Sequence, residues 1–471
     1  MFFQDIKYLI IQKQMNDIKV TFCGGVEGVT GANFLLEIGK TKILVDCGLV
    51  QGSSFAESDN QKPFPYVSSE IDYLFITHAH LDHIGRIPKL VKEGFKGEIY
   101  STPETKSLTE LMLPDALNIL SFEAKKQGTE TLYNPEDINR ALSLWKTIPY
   151  RQKTAFPDFE IFAKDAGHIL GSAMYEFTHT NGDKKTKVVF TGDLGNSPDP
   201  LLPDTEKITD ADYLIMESVY GDRNHESVEE RKRKFVNIVK GTIEKGGTSV
   251  IPAFSLERTQ TILYELDNLI EGGEIKSVPV FLDSPLAIKV TEIYEKVASS
   301  YYNSEVKKEL AGGDDIFDFP RLKSTARSED SKAILNVPGP KIIIAGSGMS
   351  NGGRVVHHEI NYLPDPKNTI LLMGYQAVGT LGRQIQEGSK VVNIMGNQVP
   401  VRARVETING YSSHKDSDHL IEFVENTRET VKKVFVVMGE PKSSLFLVQR
   451  LRDYLGTDAI SPEKDKSYEL K

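Results

Sequence analysis

Two cysteines in 471 residues, Cys23 and Cys47, are too few for a disulfide framework and fit a reducing cytoplasm. No apolar run approaches the ~20 residues of a membrane span. The longest run near the start, Tyr8 to Ile11, meets Gln12-Lys13-Gln14 at once, so no secretory leader is read there. A basic excess is also missing. The net charge of −10 argues against an all-over basic nucleic-acid binder. The acid is uneven, however: residues 218–385 hold 21 Lys/Arg against 22 Asp/Glu, which leaves room for a basic groove in that segment. Low-complexity tracts and solenoid-period repeats are absent. What is present is ordinary for a globular chain: 39% hydrophobic and 26% charged residues, and length for about three domains. The first fourteen residues read as an extension, with Met15 as the expected start.

One stretch stands out against this background. Thr77-His78-Ala79-His80-Leu81-Asp82-His83-Ile84-Gly85 holds three histidines and an aspartate within six positions. The apolar run Ile71 to Ile76 before it reads as a buried strand, which puts the cluster at a strand end and in the loop that follows. A loop on a rigid strand can aim imidazoles and a carboxylate at one point, the donor set that suits zinc.

Other candidate ligands recur at strand ends. Lys42–Val45 delivers Asp46-Cys47-Gly48, Ala166-Gly167-His168 closes a strand, Lys187–Thr191 runs into Asp193, and Tyr213–Met216 runs into Glu217. Late in the chain, Gly410-Tyr411-Ser412-Ser413 leads to His414. Together these residues are enough for two metals. His78, His80 and His168 would form one site, Asp82, His83 and His414 a second, and Asp193 would bridge them. Asp46 would orient a ligand or a water. Two divalent ions ~3.5–4 Å apart lower the pKa of a shared water to about 7.

Helical patterns are expected at Ile87–Glu93, at about Pro103–Lys126 with Pro in the first turn, and from the Asn134-Pro135 cap through Trp145. After Tyr220 strands and helices alternate, as in a parallel α/β domain. The expected organisation is a first domain over 15–217, an inserted α/β domain over 218–385, and a return to the first domain over 386–460, with Val434–Val437 the last strand.

The set of motifs resembles the metallo-β-lactamase superfamily, and within it the β-CASP family. The resemblance rests on the His-rich stretch with Asp46, His168 and Asp193, and on Met216-Glu217-Ser218-Val219-Tyr220-Gly221. It extends to Pro252-Ala253-Phe254-Ser255, Asp283-Ser284-Pro285-Leu286-Ala287, Ser347-Gly348-Met349-Ser350-Asn351-Gly352-Gly353-Arg354, and Tyr411-Ser412-Ser413-His414. It implies an αββα sandwich with an inserted β-CASP domain, two zinc ions per chain, and phosphodiester hydrolysis of single-stranded RNA. The cut would be endonucleolytic and leave a 5′ phosphate and a 3′ hydroxyl. Asp46, Asp82 and Glu217 are the expected catalytic residues. Arg258, Lys289, Ser347, Gly348, Arg354 and His357 are the expected RNA contacts. The run Arg231-Lys232-Arg233-Lys234 reads instead as a solvated helix face. A small-ester, thioester or lactone hydrolase and a non-catalytic RNA scaffold are the competing readings. The motifs imply the compact two-domain form. They also carry one departure: Gln384 stands where many members place a histidine that helps protonate the leaving group. Met438 likewise stands where a histidine often precedes Gly-Glu.

Overall fold

The computed structural model describes residues 18–52, 56–377 and 379–471. The expected extension, the Met15 start and Val378 of the Gly374–Gln384 stretch lie outside the described residues. The chain divides into two compact units. The first runs to Ser197 and also takes in Asp204–Asn224 and His414–Lys471; the second holds Pro198–Pro203 and His225–Ser413.

The first unit contains two seven-stranded sheets. One is ordered Ser467–Leu470, Ile18–Gly24, Asn33–Ile38, Thr41–Val45, Tyr73–Phe75, Glu98–Ser101, Trp145–Thr147. The other is ordered Ala459–Ile460, Lys433–Val436, Tyr213–Met216, Lys184–Phe190, Ala173–Asn181, Glu160–Asp165, Lys153–Ala155. Alternation along the strands explains how they stack. Phe34, Leu36 and Ile38 share a core with Phe177, Val188, Phe190, Ile215 and Phe435 from the other sheet. The residues between the latter, Val189, Leu214, Val434 and Val436, face a second core with Leu420, Phe423, Leu447 and Val448 of the helices Ser417–Glu425 and Pro441–Arg450. Side chains of period two thus bury one sheet on both faces, in an αββα sandwich. Hairpin chemistry is local: Ile38 pairs with Thr41 around Gly39-Lys40, with Gly39 at φ +59°.

Two expected helices have their caps. Thr102 caps Pro103–Gln127, and Asn134 forms a capping box with Asp137 on Pro135–Ser143. The latter stops short of Trp145, which begins an edge strand. The strand expected last is Lys433–Val436, and Ala459–Ile460 and Ser467–Leu470 follow it.

The second unit is built on a six-stranded sheet ordered Leu322–Ser324, Val280–Asp283, Lys341–Ala345, Thr248–Pro252, Thr369–Met373, Arg404–Ile408, all pairs parallel. The expected return at 386 needs correction. Arg404–Ile408 pairs along Thr369–Met373, and the hairpin Val391–Ile394/Asn397–Pro400 packs its Val392, Ile394 and Val399 into this unit's core. The chain therefore stays in the second unit to Ser413. Among the described residues, no helix is long and apolar enough to cross a membrane.

Candidate metal centre

The centre gathers at strand ends of the first unit. After Tyr73–Phe75 the chain bends at Ala79 and passes through extended His80 into the short helix Leu81–Ile84. The bend brings His78 and His80 together, with His78 Nε2 3.1 Å from His80 Nδ1. His80 precedes the helix but does not use its ring as a cap. His168 sits in a turn pinned by Ser172, whose Oγ accepts from the N–H of His168 at 3.0 Å and of Ile169 at 3.3 Å. Its Nε2 comes within 3.3 Å of His80 Nδ1. Asp193 reaches the same point, its Oδ2 3.4 Å from His78 Nε2 and 3.5 Å from His168 Nε2.

Asp193 also faces the second group. Its Oδ1 lies 3.5 Å from His83 Nε2, and Asp82 Oδ2 lies 4.0 Å from the same nitrogen. His414 Nδ1 is 3.9 Å from Asp193 Oδ2. Five of the seven expected ligands fall in two groups whose donor atoms lie within 4.8 Å of one another, His78–His80–His168–Asp193 and Asp193–Glu217–His414. Asp82 and His83 are in neither group, and Glu217 joins the second.

Two observations fit this donor set to divalent cations. His83 Nε2 and Asp193 Oδ1 are buried without a hydrogen-bond partner, an arrangement that costs about 1–3 kcal/mol per group unless something pairs with them. Burial also pushes the His80 and His168 imidazoles well below their ordinary value, and His78 below its own, which favours the neutral ligating form in that group. His83 is held well above its ordinary value: burial opposes that shift, and Asp193 and Asp46 outweigh it.

A layer of positioning contacts holds the ligands. Asp46 is buried, and both its oxygens are occupied. Oδ1 accepts from Thr77 N at 2.8 Å; Oδ2 accepts from Thr77 Oγ1 at 2.8 Å and from His83 Nδ1 at 2.7 Å. These contacts match the orienting place expected of Asp46. Glu217 has a similar place. It accepts from Leu194 N at 2.6 Å, and its two oxygens lie 3.1 and 3.2 Å from His414 Nδ1. Burial raises the Glu217 carboxyl. His414 is pushed up to about 9; burial opposes that shift and the Glu217 carboxylate outweighs it. The Glu217 contact fixes the proton on Nδ1 and so makes Nε2 the basic nitrogen.

Sequence reasoning missed Thr77 and Ser172, although Thr77 adjoins the His-rich stretch. Two glycines are required by close approach. A Cβ on Gly48 would lie 1.4 Å from the Asp82 carbonyl oxygen, and one on Gly192, at φ +55°, would lie 2.6 Å from Thr77 Cβ. Met438 is buried, and its N–H donates to Gly25 O at 2.7 Å.

The expected RNA contacts lie in the second unit, where two of them, Arg258 and Arg354, already have partners. Arg258 is buried and donates to the Met373 carbonyl. Arg354 donates to Asp283 Oδ1 at 2.7 Å and to the carbonyls of Thr325 at 2.5 Å and Ala326 at 2.8 Å. Arg258 is thus enclosed, whereas Arg354 stays half-buried. Asp283 also accepts from Thr325, Ser331 and His358. Burial opposes its ionisation, but these hydrogen bonds outweigh burial and draw its carboxyl down to about 2. Lys289 and His357 are exposed, Ser347 is half-buried and Gly348 is buried. Arg231, read as solvated, is buried: it donates to Gly410 O at 3.0 Å and lies 5.0 Å over the Tyr411 ring. Gln384 is exposed on the helix Leu381–Gln386.

Residues 35–216 match the metallo-beta-lactamase superfamily domain, 259–385 the Beta-Casp domain, and 398–462 the Zn-dependent metallo-hydrolase RNA specificity domain. Ribonuclease TTHA0252 of Thermus thermophilus is 37% identical over 90% of this chain and 94% of its own length. The chain belongs to the β-CASP family of the metallo-β-lactamase superfamily. Transcription termination factors FttA are further β-CASP relatives. That of Methanosarcina mazei is 34% identical over 91% of this chain and 68% of its own length, and that of Thermococcus kodakarensis 32% over 96% and 72%. A crystal structure of a protein of unknown function from Enterococcus faecalis V583 shares the fold, with TM-score 0.54 at 12% identity over 96% of this chain and 100% of that one. For this β-CASP chain the superfamily implies divalent metal and hydrolytic chemistry, and the buried cluster supplies the donors.

Proposed function

We propose that the protein is a dinuclear zinc ribonuclease that cuts single-stranded RNA internally and leaves a 5′ phosphate and a 3′ hydroxyl. The observation that carries the reading is Asp193, whose Oδ2 lies against His78 and His168 while its Oδ1 lies against His83. Its relatives' names supply the substrate class, since one is called a ribonuclease and the matched C-terminal domain is described by RNA specificity.

In this reading His78, His80 and His168 hold one ion, Asp82, His83 and His414 hold the other, and Asp193 serves both. When bound, the ions supply Lewis acidity toward phosphoryl oxygens and a water ionised near neutrality. The chain's own contribution is orientation. Asp46 holds the His83 ring through Nδ1, and Glu217 holds His414 through Nδ1, so each ring offers Nε2 in a fixed direction. Gln384 hydrogen-bonds but cannot donate a proton as imidazolium does. The loss of such an acid costs typically ~10²–10⁴-fold, which predicts a slow enzyme rather than an inert one.

The test is cleavage of RNA labelled in parallel at its 5′ or 3′ end, with metal content measured on the same sample. Internal fragments from the wild type, absent after chelation and in Asp82→Ala/His83→Ala, support the proposal. Mononucleotides released from the 5′ end would replace the endonuclease by an exonuclease. Two metals per chain without RNA cleavage would overturn the substrate.

A further inference from the structure

In the second unit, residues 247–264 form a strand, a turn and the first half of a helix, and nearly all are buried, including Thr248, Ser249, Thr259 and Gln260. Ser255 is half-buried. The exposed residue in this run is an aromatic: Phe254 keeps 39% of its surface in solvent. A large apolar ring outside while hydroxyls and an amide lie inside reverses the usual partition, and such a reversal is informative in a way that a scattered surface leucine is not.

The ring's position is built. The Phe254 carbonyl accepts from Thr259 Oγ1 at 2.7 Å and Thr259 N at 3.3 Å, and the N–H of Ala253 donates to Ala345 O at 3.0 Å. Glu257, three residues on, holds φ +63°, a conformation that non-glycine residues rarely adopt and that clusters at functional sites. Gly348 in the adjacent loop has no side chain, and a Cβ there would meet Phe254 ring carbons at 2.6 and 2.8 Å. The loop therefore backs one part of the ring and leaves the rest open.

Topology makes this a place for a ligand. Thr248–Pro252 connects toward Val280–Asp283 on one side of the sheet order, and its neighbour Thr369–Met373 connects toward Arg404–Ile408 at the opposite edge. Adjacent parallel strands with diverging connections open a crevice at their carboxyl ends, where ligands of open α/β sheets bind. Phe254 lies two residues past the end of the first strand. Arg258 donates to Met373 O at the end of the second, which fixes the other wall. Ser255 and Ser284, 3.3 Å apart through their hydroxyls, and half-buried Ser347 add neutral hydrogen-bonding groups nearby.

We infer that Phe254 is a stacking platform for one base of the single-stranded RNA, a binding contact that rests on the ribonuclease reading. Every base has a π-face, and a ring so held can stack on it whatever the sequence, whereas a basic side chain would read only phosphate. The occupant is a nucleobase, with neutral hydroxyls beside it.

The experiment uses the full chain in the Asp82→Ala/His83→Ala background, which keeps RNA intact. Binding of a short single-stranded RNA is measured by anisotropy for this parent and with Phe254→Leu or Phe254→Tyr added, against a set of oligonucleotides each carrying one abasic site. Phe254→Leu is expected to weaken binding by about ten- to a hundredfold, and Phe254→Tyr to restore it. One abasic position should weaken the parent by the same factor and leave the leucine variant unaffected, since ring and base are lost together; a purely structural role would not select a position. Thermal midpoints of the variants serve as the folding control. If the parent binds RNA and Phe254→Leu binds equally, or loses affinity equally at all abasic positions, the stacking inference is overturned and the ribonuclease reading stands. A leucine variant with unchanged RNA affinity but altered self-association would assign the ring to a second copy of the chain. A parent that binds no RNA removes the ribonuclease reading and the inference with it.

Discussion

His83 Nδ1 stands 2.7 Å from Asp46 Oδ2, and Asp46 itself sits at φ +59° with its carboxylate also accepting from Thr77 N and Oγ1. A carboxylate locked this way can only hold the ring. Asp46→Ala is expected to lower metal affinity about 10–100-fold while leaving the fold intact, because supporting partners of ligating histidines carry effects of that size. Metal stoichiometry after dialysis against a graded chelator measures it. Full retention of both metals would remove the positioning role.

Gly48 tests the same wall from the backbone side. A methyl group there meets the Asp82 carbonyl at 1.4 Å, and backbone cannot step aside as a side chain can. Gly48→Ala is expected to destabilise the first unit by on the order of 3 kcal/mol or more, read as a fall in the denaturant midpoint.

Glu359 sets a pH dependence in the second unit. It is buried, accepts from Ser350 Oγ, and leaves Oε2 without a hydrogen-bond partner. Burial pushes its carboxyl up to about 8 from an ordinary 4.5. Below 4.5 folded and unfolded chains are both protonated. Between 4.5 and 8 the unfolded chain ionises while the folded one does not, so stability falls as pH rises, by up to about 1.4 kcal/mol per pH unit, and levels off above 8. Glu359→Gln should flatten this slope and raise the melting temperature at pH 8. Melting curves from pH 4 to 9 would show an unchanged slope if the assignment fails.

Arg231 joins the helix Val228–Glu244 to the segment Asn409–Tyr411 through Gly410 O, with the Glu265 carboxylate 3.7 Å away. Removing one partner of a buried pair leaves the other uncompensated, so Arg231→Met is expected to cost about 3 kcal/mol. A double-mutant cycle with Glu265→Gln should recover part of that loss. Lys232 and Arg233, exposed on the same helix, should tolerate substitution within about 0.5 kcal/mol.

Gln384→His restores an imidazole at the position the family motif marks. It is expected to raise the single-turnover cleavage rate about tenfold or more and to introduce a limb near pH 6.5 in the rate profile. An unchanged profile would show that this position takes no part in proton transfer.

The candidate donor cluster was partly legible because four of its residues are dense and close in sequence. Three of its histidines and Asp82 come from one strand end, and His168, Asp193 and His414 each follow a glycine- or serine-rich turn. The sandwich was legible for a related reason, since period-two alternation and the Gly39-Lys40 hairpin are local signals. The arginines were not. Charge in a sequence does not say where a guanidinium points, and Arg231, Arg258 and Arg354 all turn toward carbonyls or carboxylates within their own unit. The extent of the insert was hidden by an edge. Arg404–Ile408 is mostly half-exposed and joins its sheet by parallel pairing with a strand more than thirty residues earlier, which leaves no mark in local composition. The two-residue strand Ala459–Ile460 offered no pattern long enough to read.

The inward turn of Arg258 and Arg354 has a thermodynamic consequence. A guanidinium already neutralised by Asp283, or sealed beneath Met373 O, displaces no counterions from a polyanion when that polyanion binds. The slope of log affinity against log salt for single strands is about −0.7 per phosphate neutralised, so a face with few available cations should have a shallow slope. Such a protein would release its RNA less readily as ionic strength rises than a basic-groove binder of equal affinity.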